Sequence, residues 1–169
     1  MSWTTPADIA MVVVLSVALH TDLSRRRVPN LLTFGGMLLG LSLGLFTEGL
    51  REPGLGIGVA LAFMFPGWVL GGAVRAGDAK LLMAIGALGG PELAARACFL
   101  TYLFNIPFGL VVLWSQKRMK NLVPAIKAGV RRGMGSDLPA PTLTKVAFVP
   151  VIALAVVCAR ATEVYQWPL

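Results

Sequence analysis

Two aspartates, Asp22 and Asp78, each lie where an apolar segment of the chain meets a positively charged one. Asp22 opens the stretch 22–30, Asp-Leu-Ser-Arg-Arg-Arg-Val-Pro-Asn, and Asp78 lies within 75–82, Arg-Ala-Gly-Asp-Ala-Lys-Leu-Leu. A carboxylate at membrane depth is energetically costly, and such residues usually mark a functional site. Two carboxyl groups that meet share a proton, so one can activate a water molecule while the other, protonated, polarises a carbonyl. This acid–base chemistry is suited to peptide hydrolysis and needs no metal and no other nucleophile.

Other catalytic arrangements find little support in the sequence. His20 is the only histidine, so a Ser-His-Asp triad would have to use it. No His-Glu-x-x-His or Cys-x-x-Cys motif occurs, and Cys98 and Cys158 each stand alone within an apolar segment. We therefore expect neither a metal nor another cofactor. The alternative to catalysis is that Asp22 and Asp78 only mark a membrane interface, each neutralised by a neighbouring arginine or lysine.

The composition is that of a membrane protein. Hydrophobic residues make up 56% of the 169 residues and charged residues only 14%, with a mean hydropathy of +0.76. A soluble domain usually carries about 25% charged residues. The net charge of +7 would suggest nucleic acid as the partner of a soluble protein. Here the distribution of the basic residues fits membrane topology better, so we expect lipids and no nucleic acid as partners; the oligomeric state stays open.

Six apolar runs predict six membrane helices when about 20 residues are allowed for each crossing. The fourth run is the shortest and is either a half-helix or a full crossing that continues towards residue 97. The predicted fold is an all-α, multi-pass membrane helix bundle, with residues 1–169 forming a single domain. The six runs cover approximately residues 7–21, 31–46, 55–74, 81–89, 93–114 and 146–159.

The basic residues predict the orientation of these helices. Six crossings place both termini on the same side of the membrane. Twelve of the 15 lysines and arginines fall on the opposite side, and only Arg51, Arg96 and Arg160 share the side of the termini. Because basic loops stay in the cytoplasm, both termini are predicted to lie outside. Asp22 and Asp78 then both lie at the cytoplasmic face, where packed helices could bring them together.

Glycines four residues apart predict close helix packing. The second segment carries Gly36, Gly40 and Gly44, and the third carries Gly67 and Gly71. Such spacing lets helix backbones approach closely in lipid, although glycine is also simply tolerated in membrane helices. The triple repeat is the better evidence, and it predicts a tightly packed second helix.

Prolines inside the apolar segments are predicted to remove backbone hydrogen bonds and to kink their helices. These prolines are Pro66, Pro107 and Pro150.

The largest polar region, residues 116–144, carries apolar residues at helical spacing and basic residues on the other faces. This pattern predicts an amphipathic helix that lies on the inner leaflet and is attracted by anionic headgroups. The alternative is a solvated connector, which is favoured if Pro124 breaks the helix.

The residues around the two aspartates form a pair of motifs. Asp-x-x-x-x-Arg-x-Pro-Asn at residues 22–30 is followed by Gly-Asp-x-Lys-Leu at residues 77–81. Together, in this order and in a chain with six apolar runs, they resemble the type IV prepilin peptidases, which are membrane aspartic proteases of the GxGD type. The resemblance covers most of the chain.

The resemblance implies roles for individual residues. Asp22 and Asp78 would be the catalytic pair. Where the family pattern Gly-x-Gly-Asp begins with glycine, this chain has Arg75, which adds bulk and a positive charge. Supporting roles would fall to other residues of the two motifs, namely Arg27, Pro29, Asn30, Gly77 and Lys80.

The resemblance also implies a substrate and a location. The substrate would be a prepilin precursor with a short basic leader and a following hydrophobic helix, cleaved at the cytoplasmic face of the bacterial inner membrane. Larger relatives carry an extra cytoplasmic domain between the first two helices and also N-methylate the new terminus. This chain resembles the short form associated with Flp or tight-adherence pili, so no methyltransferase activity is expected. The alternatives are a non-catalytic component of a pilus or secretion machine and a proton-coupled transporter.

Overall fold

A computed structural model describes residues 5–47, 49–69, 76–115 and 148–164 of the chain. Every helix or strand within these ranges is an α-helix, so the predicted all-α class is confirmed for the described part. The predicted amphipathic helix within 116–144 lies outside it, as do Gly71 and Arg75. The helices are α1 (Pro6–Arg25), α2 (Asn30–Phe46), α3 (Arg51–Val69), α4 (Ala76–Ser115) and α5 (Val149–Val164).

Helix α4 is interrupted at Gly90, whose backbone angles, φ 79° and ψ 179°, are not helical. A Cβ atom built on Gly86 would lie 3.2 Å from the Cβ of Ala94, although eight residues of a straight helix span about 12 Å. The two arms of α4, residues 76–89 and 91–115, therefore fold back side by side. The sequence predicted this division between its fourth and fifth segments. The first arm begins at Ala76, however, and not at the predicted Leu81.

The connection between α1 and α2 is short and well defined. Helix α1 is followed by Arg26, which adopts the left-handed conformation (φ 52°) and donates its backbone N–H to the carbonyl of Asp22 at 2.9 Å. Pro29, with an extended backbone, then precedes the first residue of α2, Asn30. Only residues 26–29 connect the two helices, so no additional domain is inserted between them.

Two of the described helical segments, Pro6–Arg25 and Ala76–Asn105, are long and apolar enough to cross a membrane, and the second contains the turn at Gly90. Helices α2 and α5 contain shorter apolar stretches. Large apolar side chains are also exposed on the surface of the bundle, including Leu31 at 86% and Phe46 at 88% of their full exposure. An apolar surface of this kind is typical of a protein that contacts lipid or a partner.

Helices α1 and α5 lie side by side in opposite directions, and a contact near each end fixes their alignment. Arg160 Nη2 of α5 lies 2.6 Å from Asp8 Oδ1 near the start of α1. The backbone N–H of Val149, the first residue of α5, donates to Asp22 Oδ2 at 3.2 Å near the end of α1. We name the two ends of the bundle after these residues, the Asp8 end and the Asp22 end.

The turn and the start of α4 lie at opposite ends of the bundle. The turn of α4 lies at the Asp8 end, because the Cβ built on Gly89 would lie 3.1 Å from Met11 Cε of α1 and the one on Gly90 would lie 3.9 Å from Glu52 Oε2 of α3. The start of α4 lies at the Asp22 end, where the Cβ built on Gly77 would lie 3.8 Å from Val28 Cβ.

The predicted close packing of α2 is confirmed. Gly36, Gly40 and Gly44 are all buried, and a Cβ built on Gly40 would lie 2.5 Å from the backbone carbonyl of Ala87 in α4. No real Cβ atom approaches so closely, so α2 and α4 pack backbone against backbone at this point. The second predicted pair, Gly67 with Gly71, stays a prediction because Gly71 lies outside the described residues.

The three prolines that were predicted to kink helices differ in their position within the helix. Pro66 lies inside α3 and Pro107 inside the second arm of α4. Pro150 is instead the second residue of α5. In the first turn of a helix the missing N–H has no intrahelical partner to lose, so the predicted kink at Pro150 is wrong. This proline marks the beginning of a helix.

Candidate active site

Asp22 lies in the last turn of α1 and is buried, with only 1% of its surface exposed. Buried carboxylates are stable only when hydrogen-bond donors or charges compensate for the lost water. The N–H of Val149 supplies one such bond to Oδ2, and it comes from a residue 127 positions further along the chain. The site around Asp22 therefore involves the first and the last described helix.

Asp78 is the third residue of α4 and is also buried, with 8% of its surface exposed. A carboxylate in the first turn of a helix is stabilised by the helix dipole and by the unpaired N–H groups there. The early start of α4 at Ala76 is what places Asp78 inside this turn. Gly77 precedes it and packs next to Val28 of the α1–α2 connection.

Lys80 connects the two sequence motifs. Its Nζ donates a hydrogen bond of 3.1 Å to Asn30 Oδ1, and it lies 5.0 Å from the centre of the Phe34 ring. The hydrogen bond joins residues 50 positions apart. A cation above an aromatic face adds a further favourable interaction. Together with the Gly77–Val28 contact, these two interactions of Lys80 hold the start of α4 against the start of α2.

The other residues of the first motif have local roles. Pro29 forms the N-cap of α2, and its carbonyl accepts the N–H groups of Leu32 and Thr33 at 3.1 and 3.3 Å. Helix α2 thus begins at Asn30, one residue before the apolar run that was predicted from residue 31. Arg27 is exposed to solvent at the surface of the same connection.

The structure thus brings the predicted site residues to one end of the bundle. Asp22 and Asp78 are both buried at the Asp22 end, and the chain segments that follow and precede them are in contact. That the two carboxyl groups form a proton-sharing pair stays a prediction. Two buried carboxyl groups at one end of a helix bundle can supply the base and the acid of a hydrolytic reaction.

Sequence reasoning missed two contacts of the site helices. The first is the bond from Val149 to Asp22, for which Pro150 was the available signal, since proline favours the first turn of a helix. The second is the pair of Asp8 and Arg160; the count of basic residues placed Arg160 on the side of the termini and gave it no acidic partner. Thr5 and Asp8 also form a capping box at the start of α1.

Comparison with known proteins identifies the family. The sequence profile of the type IV leader peptidase family matches residues 9–113, which is more than half of the chain and includes Asp22, Asp78 and the two motifs. No curated protein and no solved structure shows a significant match. Helix α5 lies beyond the matched residues. On the strength of the profile match, which agrees with the motifs that the sequence carries, this chain belongs to the type IV leader peptidase family.

Proposed function

We propose that this protein is a membrane aspartic endopeptidase that removes the leader peptide from type IV or Flp prepilins, with Asp22 and Asp78 as its catalytic pair. Membership of the leader peptidase family supports a protease with prepilin-type substrates. The aspartic mechanism is our inference from the two buried carboxyl groups.

The observation that carries this proposal is the hydrogen bond between Lys80 Nζ and Asn30 Oδ1. It joins the two motifs at the end of the bundle where both aspartates are buried. Residues that only marked a membrane interface would have no reason to be joined across 50 positions in sequence. Burial of both aspartates also argues against the interface reading, because an interfacial carboxylate gains most by staying in water.

In the proposed reaction, the ionised carboxylate of the pair removes a proton from a water molecule as the oxygen attacks the scissile carbonyl carbon. The protonated carboxyl group donates a hydrogen bond to the carbonyl oxygen and stabilises the tetrahedral intermediate. Collapse of this intermediate breaks the C–N bond, and the departing amine takes up a proton from the acid–base pair. The substrate must be locally extended, since a helix occupies its carbonyl groups in internal hydrogen bonds.

The side of the membrane on which we propose cleavage is inferred from the distribution of basic residues. In the topology predicted from the sequence, Asp22 and Asp78 share the side of the membrane that carries 12 of the 15 basic residues. By the positive-inside rule this side faces the cytoplasm, so cleavage would occur at the cytoplasmic face of the inner membrane in a six-helix, multi-pass arrangement. The four-residue connection between α1 and α2 leaves no room there for a methyltransferase insertion, and we expect proteolysis without methylation.

The test is cleavage of a purified prepilin precursor by the wild type and by Asp22→Asn and Asp78→Asn. Each substitution keeps the side-chain shape and removes the ionisable group, so each should abolish cleavage while the protein remains inserted. Glu92→Gln is the matched control, because Glu92 lies at the Asp8 end in an exposed pair with Arg96, and it should cleave at the normal rate. Normal cleavage by Asp22→Asn or Asp78→Asn would overturn the aspartic mechanism. A wild type that cleaves no precursor would leave a non-catalytic role in a pilus or secretion machine, or proton transport, as the better explanation.

A further inference from the structure

The backbone N–H groups in the first turn of α5 can be fully accounted for. Val151 and Ile152 donate to the carbonyl of Phe148 at 3.0 and 3.1 Å. Pro150 has no N–H to donate. The remaining donor of the turn, the N–H of Val149, points to Asp22 Oδ2. Within helix residues 149–152, the N–H of Val149 is thus the donor that does not bind the carbonyl of Phe148, and it binds a predicted catalytic carboxylate.

The alignment of α5 that makes this bond possible is fixed from the opposite end. Asp8 and Asp22 are 14 residues apart on α1, about 21 Å, while Val149 and Arg160 are 11 residues apart on α5, about 16 Å. The long side chain of Arg160 spans the difference and reaches Asp8 at 2.6 Å.

Between these two contacts the inner face of α5 is packed without solvent. Its apolar residues at helical spacing lie in the same core as Ala18 and Met11 of α1. A shift of α5 by one turn would therefore break contacts along its whole length. The residues of α5 that belong to this core are Val149, Ile152, Val156 and Ala159.

We propose that α5 is part of the catalytic centre, and that the N–H of Val149 positions the carboxylate of Asp22 for the reaction. The inference rests on the proposed function and extends the active unit beyond residues 9–113, which the family profile matches. A hydrogen bond to Oδ2 restrains rotation of the carboxyl group about its last side-chain torsion. A buried N–H that donates to a carboxylate also stabilises its negative charge. Val149 acts through Asp22 and is a positioning residue.

The decisive comparison is Val149→Pro against Val149→Ala. Proline removes the N–H and fits the first position of a helix, whereas alanine keeps the N–H and removes more of the side chain. Each variant is mixed in excess with a prepilin precursor, and the single-turnover rate constant is measured. Under these conditions the constant reports the step on the enzyme and not the fraction of enzyme that is folded. We expect Val149→Pro to be slower than Val149→Ala by about 10-fold or more, as loss of a hydrogen bond to a charged group implies.

A second measurement tests the contact without activity. The difference in melting temperature between Val149→Pro and Val149→Ala is determined in the wild-type background and again with Asp22→Ala. If the bond forms, the difference shrinks by roughly half or more once Asp22 is gone, because contacting residues are not additive. Should Val149→Pro fail to accumulate, α-hydroxyisovaleric acid at position 149 replaces the N–H with an ester oxygen and keeps the valine side chain.

The possible outcomes distinguish failure of the positioning role of Val149 from failure of the proposed peptidase function. Equal single-turnover constants for Val149→Pro and Val149→Ala, in an enzyme that needs Asp22 for cleavage, would overturn the positioning role alone. An unchanged melting difference in the Asp22→Ala background would do the same. If the wild type cleaves no precursor, the proposed function fails, and the melting comparison still decides whether the bond from α5 to Asp22 forms.

Discussion

Gly56 of α3 and Gly86 of α4 face each other so closely that a Cβ atom on either residue would overlap the backbone carbonyl group of the other. The two helices therefore touch through their main chains at this point. Gly86 lies in the first arm of α4, eight residues after Asp78, so this contact helps to fix the arm that carries the second motif. Close backbone contact of this kind is a recognised means of helix association in lipid.

We expect Gly56→Ala to destabilise the protein by about 1–3 kcal/mol, because the added methyl group forces the backbones of α3 and α4 apart. Gly58→Ala is the matched control, since a Cβ built on Gly58 meets nothing within 4 Å. It should be neutral or slightly stabilising, as alanine favours the helix over glycine. Unfolding of both variants in detergent checks the prediction, and similar stabilities would show that α3 and α4 are not in backbone contact.

The ion pair between Asp8 and Arg160 should stabilise the folded protein far more than the exposed ion pair between Glu92 and Arg96. Asp8 is buried and Arg160 is partly buried, with side-chain exposures of 4% and 13%. Arg160→Ala leaves the carboxylate of Asp8 buried without this partner, and we expect a loss of about 3–5 kcal/mol. Arg96→Ala breaks the exposed pair with Glu92 and should cost no more than about 1 kcal/mol. Equal losses in thermal unfolding would contradict the burial of the Asp8 pair.

The bond between Lys80 and Asn30 can be tested with a double-mutant cycle. Lys80→Met and Asn30→Leu each remove one partner and keep most of the side-chain volume. We expect a coupling free energy of about 0.5–1.5 kcal/mol in unfolding experiments, because the contact is a hydrogen bond at a partly exposed position. Each single variant should also cleave more slowly than the wild type if the two motifs must be held together. A coupling of zero would mean that the two residues act independently.

The turn of α4 requires glycine at position 90 because of the backbone conformation there, and not because a Cβ atom would clash. A Cβ at this position would lie no closer than 3.9 Å to Glu52 Oε2, but φ 79° with ψ 179° is a region that essentially only glycine adopts. Gly90→Ala should therefore destabilise the protein by about 1–3 kcal/mol. Gly54→Ala, in a helix and with open space around the Cβ, should not. Comparable melting temperatures for the two variants would argue against the folded-back arrangement of α4.

Much of the helix arrangement could be predicted from the sequence, because the apolar runs depend only on where apolar residues fall along the chain. Asp22 at the end of the first run and Asp78 after the third had to reach the same end of the bundle, and they do. The start of α4 could not be placed this way. Gly77, Asp78 and Lys80 interrupt the apolar pattern, although they form the first turn of the helix.

Glycine spacing correctly predicted the close packing of α2, but the same spacing does not always mark a contact, as α3 shows. Gly54 and Gly58 are four residues apart, yet a Cβ on either would meet nothing. Gly56, between them, makes the contact with Gly86. Spacing within one helix does not reveal which face meets a neighbour, because that depends on the register of both helices. The proposed role of Val149 could not be predicted from side chains, because its donor is a backbone N–H. Pro150 indicates only that a helix begins there.

The bond between Asp22 and Val149 also has a consequence for biosynthesis. The ribosome makes Asp22 early and Val149 only 127 residues later, which at 5–20 residues per second is a delay of about 6–25 s. During this time the helices that carry both aspartates have been made, but the helix that is proposed to orient Asp22 has not. If α5 positions Asp22 as we propose, the nascent chain lacks this contact until α5 is made, and cleavage activity is expected only once the last described helix has joined the first.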